Sequence, residues 1–273
     1  MLNIKLLGER WIVLLRDKDE SHIRSLFDSI SSSYGLFKGE GRRLLSNFEK
    51  QQILVKIMDQ TDSTASVLEV GCGWNRYLSV ISRQASTAVG IDLSKQMLES
   101  GKKRFPELDI DLIQADMTHL PFRDCIFNLA YSIRAFKYSH NPTQVLREIR
   151  RVCKKPVSIM IYEINNCLSF AYLEHLIRSF LRFLVHSSIS SWQAGISTST
   201  PFLMKKYFED ACCGKVFYKG ILYIPQGWYS SPKCKRIYKK FIFLERSIPS
   251  FFSILAYGIL YETKTRNKRM HRG

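Results

Sequence analysis

Between residues 67 and 162 the sequence alternates short apolar runs with segments of helical period, and few architectures accommodate that rhythm. The runs cover 67–70, 88–91, 110–113, 126–131 and 157–162, and helical periods fall over 77–85, 95–105 and 143–153. Asn141-Pro142 opens the last of these helices, with Val145, Leu146, Ile149 and Val152 on one face. Parallel strands joined by right-handed crossovers wind into a doubly wound sheet, so the spacing predicts an α/β chain with a Rossmann-like, mostly parallel sheet. A ligand then sits beyond the carboxyl ends of the strands, near the switch point after the first of them.

The flanks read differently. The first 64 residues predict helices over 21–34 and 42–58, joined by the glycine-rich loop 35–41. Past Glu163 the pattern predicts an amphipathic helix over 168–185 with Arg178 and Arg182 on its polar side, then a polar loop over 187–200. A helix over 201–213, a strand over 216–224, a basic helix over 233–246 and a last strand or hairpin arm over 251–263 complete the chain, before a disordered basic tail. The expected division is a helical cap (1–64), a ligand-binding core (65–164), a cap and acceptor region holding the last strands (165–263), and the tail (264–273).

Charge and composition narrow the function classes. Lys+Arg minus Asp+Glu is 41 − 24 = +17, which favours anionic surroundings without naming a partner. Hydrophobic residues at 45% and charged residues at 24% exclude a wholly disordered or collagen-like chain. The longest apolar candidate, 248–261, is interrupted by Pro249, two serines and Gly258 and is too short to span a bilayer. The apolar stretch 11–15 lacks a cleavage site and does not read as a secretory signal. Seven cysteines in no Cys-x-x-Cys pair, with Cys212 and Cys213 adjacent, predict reduced thiols acting as small hydrophobes in a cytoplasmic chain.

The chemistry concentrates in Val67-Leu-Glu-Val-Gly-Cys-Gly-Trp-Asn75. A buried strand ends in an acid and turns through Gly71 and Gly73 into a helix, with room for a close ligand that a Cβ would block. Dinucleotide sites use the same turn but want a third glycine where this chain has Arg76, and Glu69 suits a cation better than a pyrophosphate. Asp92 ends the next strand, 19 residues beyond Gly73, where an acid accepts from both hydroxyls of an adenosine ribose. Asp116 ends the third, placed for an adenine amino group, with the Met117 N–H in reach of a ring nitrogen. Taken singly, a Gly-x-Gly is usually a turn, and either aspartate is a common helix cap. Three acids on three successive strand ends are much more specific.

Glu69 to Asn75, Asp92, and Ala115-Asp-Met-Thr-His-Leu-Pro-Phe122 resemble the class I S-adenosylmethionine-dependent methyltransferases, with the texture of the ubiquinone/menaquinone small-molecule group. Phe127 to Tyr131 and Leu146 to Cys153 continue the likeness, and Thr200 to Ile224 and Phe251 to Lys264 fit loosely as the helix and antiparallel last strands that the resemblance implies. The resemblance implies S-adenosyl-L-methionine as cofactor and methyl transfer to a small, lipid-like or quinone-like acceptor. It places Glu69, Gly71, Cys72 and Gly73 at the methionine end of the cofactor, with Ser132 and Ile133 nearby. Asp92 and Leu93 would meet the ribose, and Asp116 and Met117 the adenine. Two departures stand out: Asn75 replaces the family's third glycine, either narrowing the pocket or adding a hydrogen bond, and Lys155-Pro156-Val157 replaces its Pro-Gly-Gly.

Glu163, His140 and Tyr34 are the candidate catalytic groups, each with an ordinary packing or surface role as the alternative; His119 reads as a loop histidine. No metal site is expected. An RNA methyltransferase using the basic face and a catalytically silent cofactor-binding scaffold are the competing readings. Apolar–basic alternation over 168–182 and 238–261 favours a peripheral membrane contact over nucleic acid.

Overall fold

The computed structural model describes residues 5–7, 10–12, 20–34, 40–164, 168–169, 173, 177, 200–224, 228–229, 236–248 and 250–263. In chain order the elements are β1 (Lys5–Leu7), β2 (Arg10–Ile12), α1 (Glu20–Ile30), α2 (Glu40–Met58), β3 (Ser66–Val70), α3 (Leu78–Ile81), β4 (Thr87–Asp92), α4 (Lys95–Arg104) and β5 (Asp111–Gln114). They continue with β6 (Leu129–Ile133), α5 (Pro142–Val152), β7 (Ile159–Ile164), α6 (Pro201–Asp210), β8 (Val216–Leu222), α7 (Tyr238–Ser247) and β9 (Gly258–Thr263).

Seven strands form one sheet in the order β5-β4-β3-β6-β7-β9-β8. The first five are parallel, and β9 runs antiparallel to both β7 and β8. The order reverses between β3 and β6, so β3 ends at the switch point where a doubly wound sheet opens a crevice. Strand pleating divides the core into two layers. Leu68, Val70, Ala130 and Ile161 face α5 and α6, whereas Val67, Leu129, Tyr131 and Tyr162 face α2, α3 and α7. The α5 crossover buries Val145, Leu146, Ile149 and Val152 completely, each contributing roughly 1.5–3 kcal/mol by removal from water.

The differences from the sequence expectations have local causes. The helix expected over 77–85 shortens to α3, because Arg83 and Gln84 donate three residues back to the Val80 and Ile81 carbonyls and Ser86 N–H turns to Ala65. The 126–131 run becomes a strand only at Leu129, since Cys125, Ile126 and Phe127 donate to the carbonyls of Arg151 and Val152. Gly41 belongs to α2 rather than to a loop. A Cβ there would fall 2.0 Å from the Tyr229 carbonyl oxygen, so only glycine fits that approach. Residues 250–255 form a 3-10 helix, and β9 begins at Gly258, under the Tyr162 hydroxyl.

Of the basic helix expected over 233–246, residues 233–235 lie outside the described residues, and α7 covers Tyr238–Ser247. The turn before β7 carries a cis Lys155–Pro156 bond. An antiparallel β1–β2 pair interrupts the otherwise helical reading of the N-terminal segment. Cys72, Cys153 and Cys213 are buried free thiols as expected, but Cys125 and Cys212 are exposed. The helix expected over 168–185 lies almost wholly outside the described residues, as do most of 35–41 and 187–200 and all of the 265–273 tail.

Candidate active site

The β3–α3 turn is held from both sides. Gly71 and Cys72 N–H groups donate to the Ile91 carbonyl at 2.8 and 2.9 Å, tying the turn to β4. Gly71 has φ +76°, and a Cβ on it would meet that of Ala135 at 2.2 Å; Gly73 has φ +53°. Both glycines are therefore required by backbone torsion, and the first also by close approach of the loop after β6. Asp92, at the end of β4, accepts from the Gly73 N–H at 2.8 Å and the Ser94 N–H at 2.9 Å. Burial pushes its carboxyl above the ordinary value despite those two donors.

Glu69 is 2% exposed and accepts from the Leu78 N–H at 3.0 Å and the Tyr131 hydroxyl at 3.3 Å. Burial pushes it up to about 8, so the carboxyl is mostly protonated at neutral pH. Asp116 accepts from the Thr118 N–H at 2.9 Å and from the Thr118 hydroxyl. Burial raises its carboxyl, but those hydrogen bonds outweigh the effect and hold it below the usual carboxylate value. The two aspartates thus fill the turn role each residue type predicts alone. Each carboxylate also keeps acceptor capacity beyond these bonds.

These groups line one cavity of about 260 Å³ at the carboxyl ends of β3, β4, β5 and β6. Gly71, Cys72, Gly73, Leu93, Met117 and Ile133 all lie on its wall, together with Glu69, Asp92 and Asp116. So do Tyr34 and His140 of the catalytic candidates. Ser132 and Glu163 do not. Each follows a residue facing the other layer, Tyr131 and Tyr162, so the pleat turns both away from the face carrying Glu69. Glu163 instead accepts from the Lys137 N–H at 3.2 Å, and burial raises it to about 7. Asn75 is also absent from the cavity wall. It sits at φ +64°, and its amide lies against Gly101 of α4, where a Cβ would come within 2.4 Å of Nδ2. It neither narrows the pocket nor adds a contact there.

Several wall residues escaped the sequence reading. Ile23 and Phe27 come from α1, which closes the cavity from above and is fastened to α4. Ser94 Oγ donates to Asp28 at 2.5 Å, Ser100 Oγ to the Ser31 carbonyl at 3.4 Å, and the Arg104 guanidinium to the Tyr34 carbonyl at 3.3 Å. Phe27 packs edge-on against Tyr34 and Tyr138, with centroids 5.8 and 5.1 Å away. Arg134, at φ +61°, donates to Glu49 of α2 at 2.5 Å, while its buried Nε has no hydrogen-bond partner among the described residues. Nothing local in sequence links Glu49 to Arg134, 85 residues apart. His119 is 83% exposed on its loop, and His140 stands 3.4 Å from Glu20.

The donor set fits an adenosyl sulfonium. Two left-handed glycines leave a cradle, three carboxyls ring it, and Arg134 adds a cationic side chain to its wall. Comparison with known proteins agrees with this chemistry. Residues 68–161 match the methyltransferase domain family Methyltransf_11. A demethylmenaquinone methyltransferase of Chlamydia trachomatis is 28% identical over 213 residues, covering 73% of this chain and 87% of the relative. A sterol 4-C-methyltransferase of Caenorhabditis elegans is 25% identical over 155 residues, covering 53% of this chain and 46% of the relative. Among solved structures, a SAM-dependent methyltransferase from Thermotoga maritima shares the fold, with TM-score 0.59 and 14% identity over 88% of this chain and 98% of that one.

Proposed function

We infer that this chain, a class I S-adenosylmethionine-dependent methyltransferase, methylates a small apolar acceptor of quinone-like or lipid-like character. One observation carries the reading. A single cavity joins a polar cradle at Gly71, Gly73, Asp92 and Asp116 to an apolar wall made by Ile23, Phe27, Tyr34 and Tyr138. Cofactor and acceptor can then share one water-poor space. Relatives named for demethylmenaquinone and sterol, both apolar ring systems, support the same acceptor class.

In this reading Asp92 accepts from the ribose hydroxyls, with Leu93 beside it. Asp116 and the Met117 N–H hold the adenine. Gly71, Cys72, Gly73 and Ile133 border the amino-acid end, and the Arg134 side chain brings a positive charge to the carboxylate there. When bound, the cofactor supplies an activated methyl group on a sulfonium, displaced in line by an O, N or C nucleophile. The protein's part is to align the acceptor and exclude water, which α1 does through Ile23 and Phe27. Burial raises the Tyr138 hydroxyl to about 12, so it serves as a hydrogen-bond donor and not as a base. His140 stands on the rim of the same wall, its Nδ1 3.4 Å from a Glu20 carboxylate oxygen, where its imidazole can hydrogen-bond an acceptor group.

Calorimetry with S-adenosylhomocysteine, followed by incubation with a labelled methyl donor and fractionated extract, tests the reading. Binding and label in the lipid or small-molecule pool are expected. Label in RNA overturns the acceptor class. Binding with transfer to no pool indicates a silent scaffold, and absence of binding removes the cofactor assignment.

A further inference from the structure

The outer face of α7 lacks a counterpart within the described protein. Tyr238, Phe241 and Glu245 point inward, against α2 and the end of β8. At 100° per residue, Lys239, Lys240, Phe243, Leu244 and Ser247 share the opposite side, and all are exposed, whereas the Arg246 guanidinium reaches back over the Phe48 ring of α2, 5.7 Å from its centroid. Phe243 is 69% exposed and Leu244 49%, where a solvated helix would carry polar residues. Each follows a lysine by four residues, so Lys239 neighbours Phe243 and Lys240 neighbours Leu244 on the helix surface. The single acid of the helix, Glu245, is turned inward, where it accepts from the Tyr223 and Ile224 N–H groups at 2.7 and 3.0 Å. The outer face therefore carries cations and apolar side chains and no anion. Among the described residues neither Lys239 nor Lys240 pairs with a carboxylate.

This helix also sits at the functional end of the sheet. Glu245 holds the residues following β8, and Leu222 at its end lies opposite Gly258, which pairs with Ile164 at the carboxyl end of β7. That is the edge on which the cavity opens.

We propose that the outer face of α7 docks the protein onto an anionic lipid bilayer, with Phe243 and Leu244 entering the headgroup boundary and Lys239 and Lys240 meeting lipid phosphates. Charge complementarity with a chain of net charge +17, together with apolar residues set between the cations, selects a bilayer over a nucleic acid. Phosphate contacts alone use lysines and have no need of an exposed phenylalanine. The proposal rests on this helix and stands whichever acceptor is methylated.

Vesicle flotation tests it, with the full chain and vesicles of phosphatidylcholine alone or of equal parts phosphatidylcholine and phosphatidylglycerol. The wild-type protein should float with the anionic vesicles and not with phosphatidylcholine. Phe243→Ser combined with Leu244→Ser, and separately Lys239→Glu combined with Lys240→Glu, should each lower partitioning by about tenfold or more. Both pairs are exposed, and an unchanged melting temperature with retained S-adenosylhomocysteine binding verifies the fold. Equal recovery on neutral vesicles, no recovery on either, or a serine variant that floats like wild type overturns the proposal. Displacement from the vesicles by a single-stranded RNA oligonucleotide that the serine variant binds undiminished overturns it in favour of RNA.

Discussion

Asn75 illustrates how one residue can satisfy a backbone requirement in place of glycine. Its φ of +64° lies in the left-handed region, which asparagine tolerates better than other side chains. Because the amide lies against Gly101 and not on the cavity wall, Asn75→Gly should leave S-adenosylhomocysteine affinity within about threefold, whereas Asn75→Ala should lose about 1–2 kcal/mol of stability from the torsion alone. Calorimetry and urea unfolding separate the two effects; a large affinity loss in the glycine variant would show that the side chain acts on the pocket. Asp92 combines two tasks. It ties down the Gly73 and Ser94 N–H groups and, in the proposed function, accepts from ribose hydroxyls. Asp92→Ala should weaken cofactor-product binding by about 1–3 kcal/mol and lower the melting temperature as well. A variant that melts lower but binds normally would confine the residue to the turn.

At the scale of elements, the parts that the sequence reveals are those whose determinants are local. The β3 turn, β4, β5 and α5 carry their own period, caps and glycines, and the structure places them within a few residues of the expected positions. The acids Glu69, Asp92 and Asp116 were legible because each ends a strand, and parallel order brings strand ends together. What the sequence hides is set by side-chain direction and distant pairing. Ser132 and Glu163 also lie at strand ends, but the two-residue pleat turns them to the other layer. Arg134 is hidden because its partner Glu49 comes from α2, and Phe27 because α1 folds over the cavity from outside the repeating unit. The Glu49–Arg134 pair fastens α2 to the loop after β6. Glu49 is 1% exposed, so Glu49→Ala would leave a largely buried guanidinium uncompensated and should cost about 3–5 kcal/mol in urea unfolding. A cost below 1 kcal/mol would make the pair no stronger than one on the surface.

For the whole molecule, the buried acids set the response to pH. Burial raises Glu69 to about 8 and Glu163 and Glu245 each to about 7, well above the ordinary carboxylate value. The folded chain therefore holds protons that the unfolded chain releases between about pH 4.5 and 8. Stability from these groups is fully present below the unfolded value and is lost as pH rises through 7 and 8. Asp116 and Glu148 are shifted downward and act in the opposite sense, but only below the ordinary carboxylate range. The melting temperature should accordingly be highest near pH 5 and fall toward pH 8, by about 2–4 °C for each kcal/mol lost. Glu163→Gln removes one titration without touching the cavity wall, and should make the fall shallower while leaving S-adenosylhomocysteine affinity unchanged. A melting temperature that rises from pH 5 to 8, or a Glu163→Gln profile parallel to wild type, would mean that these carboxyls are already ionised in the folded protein.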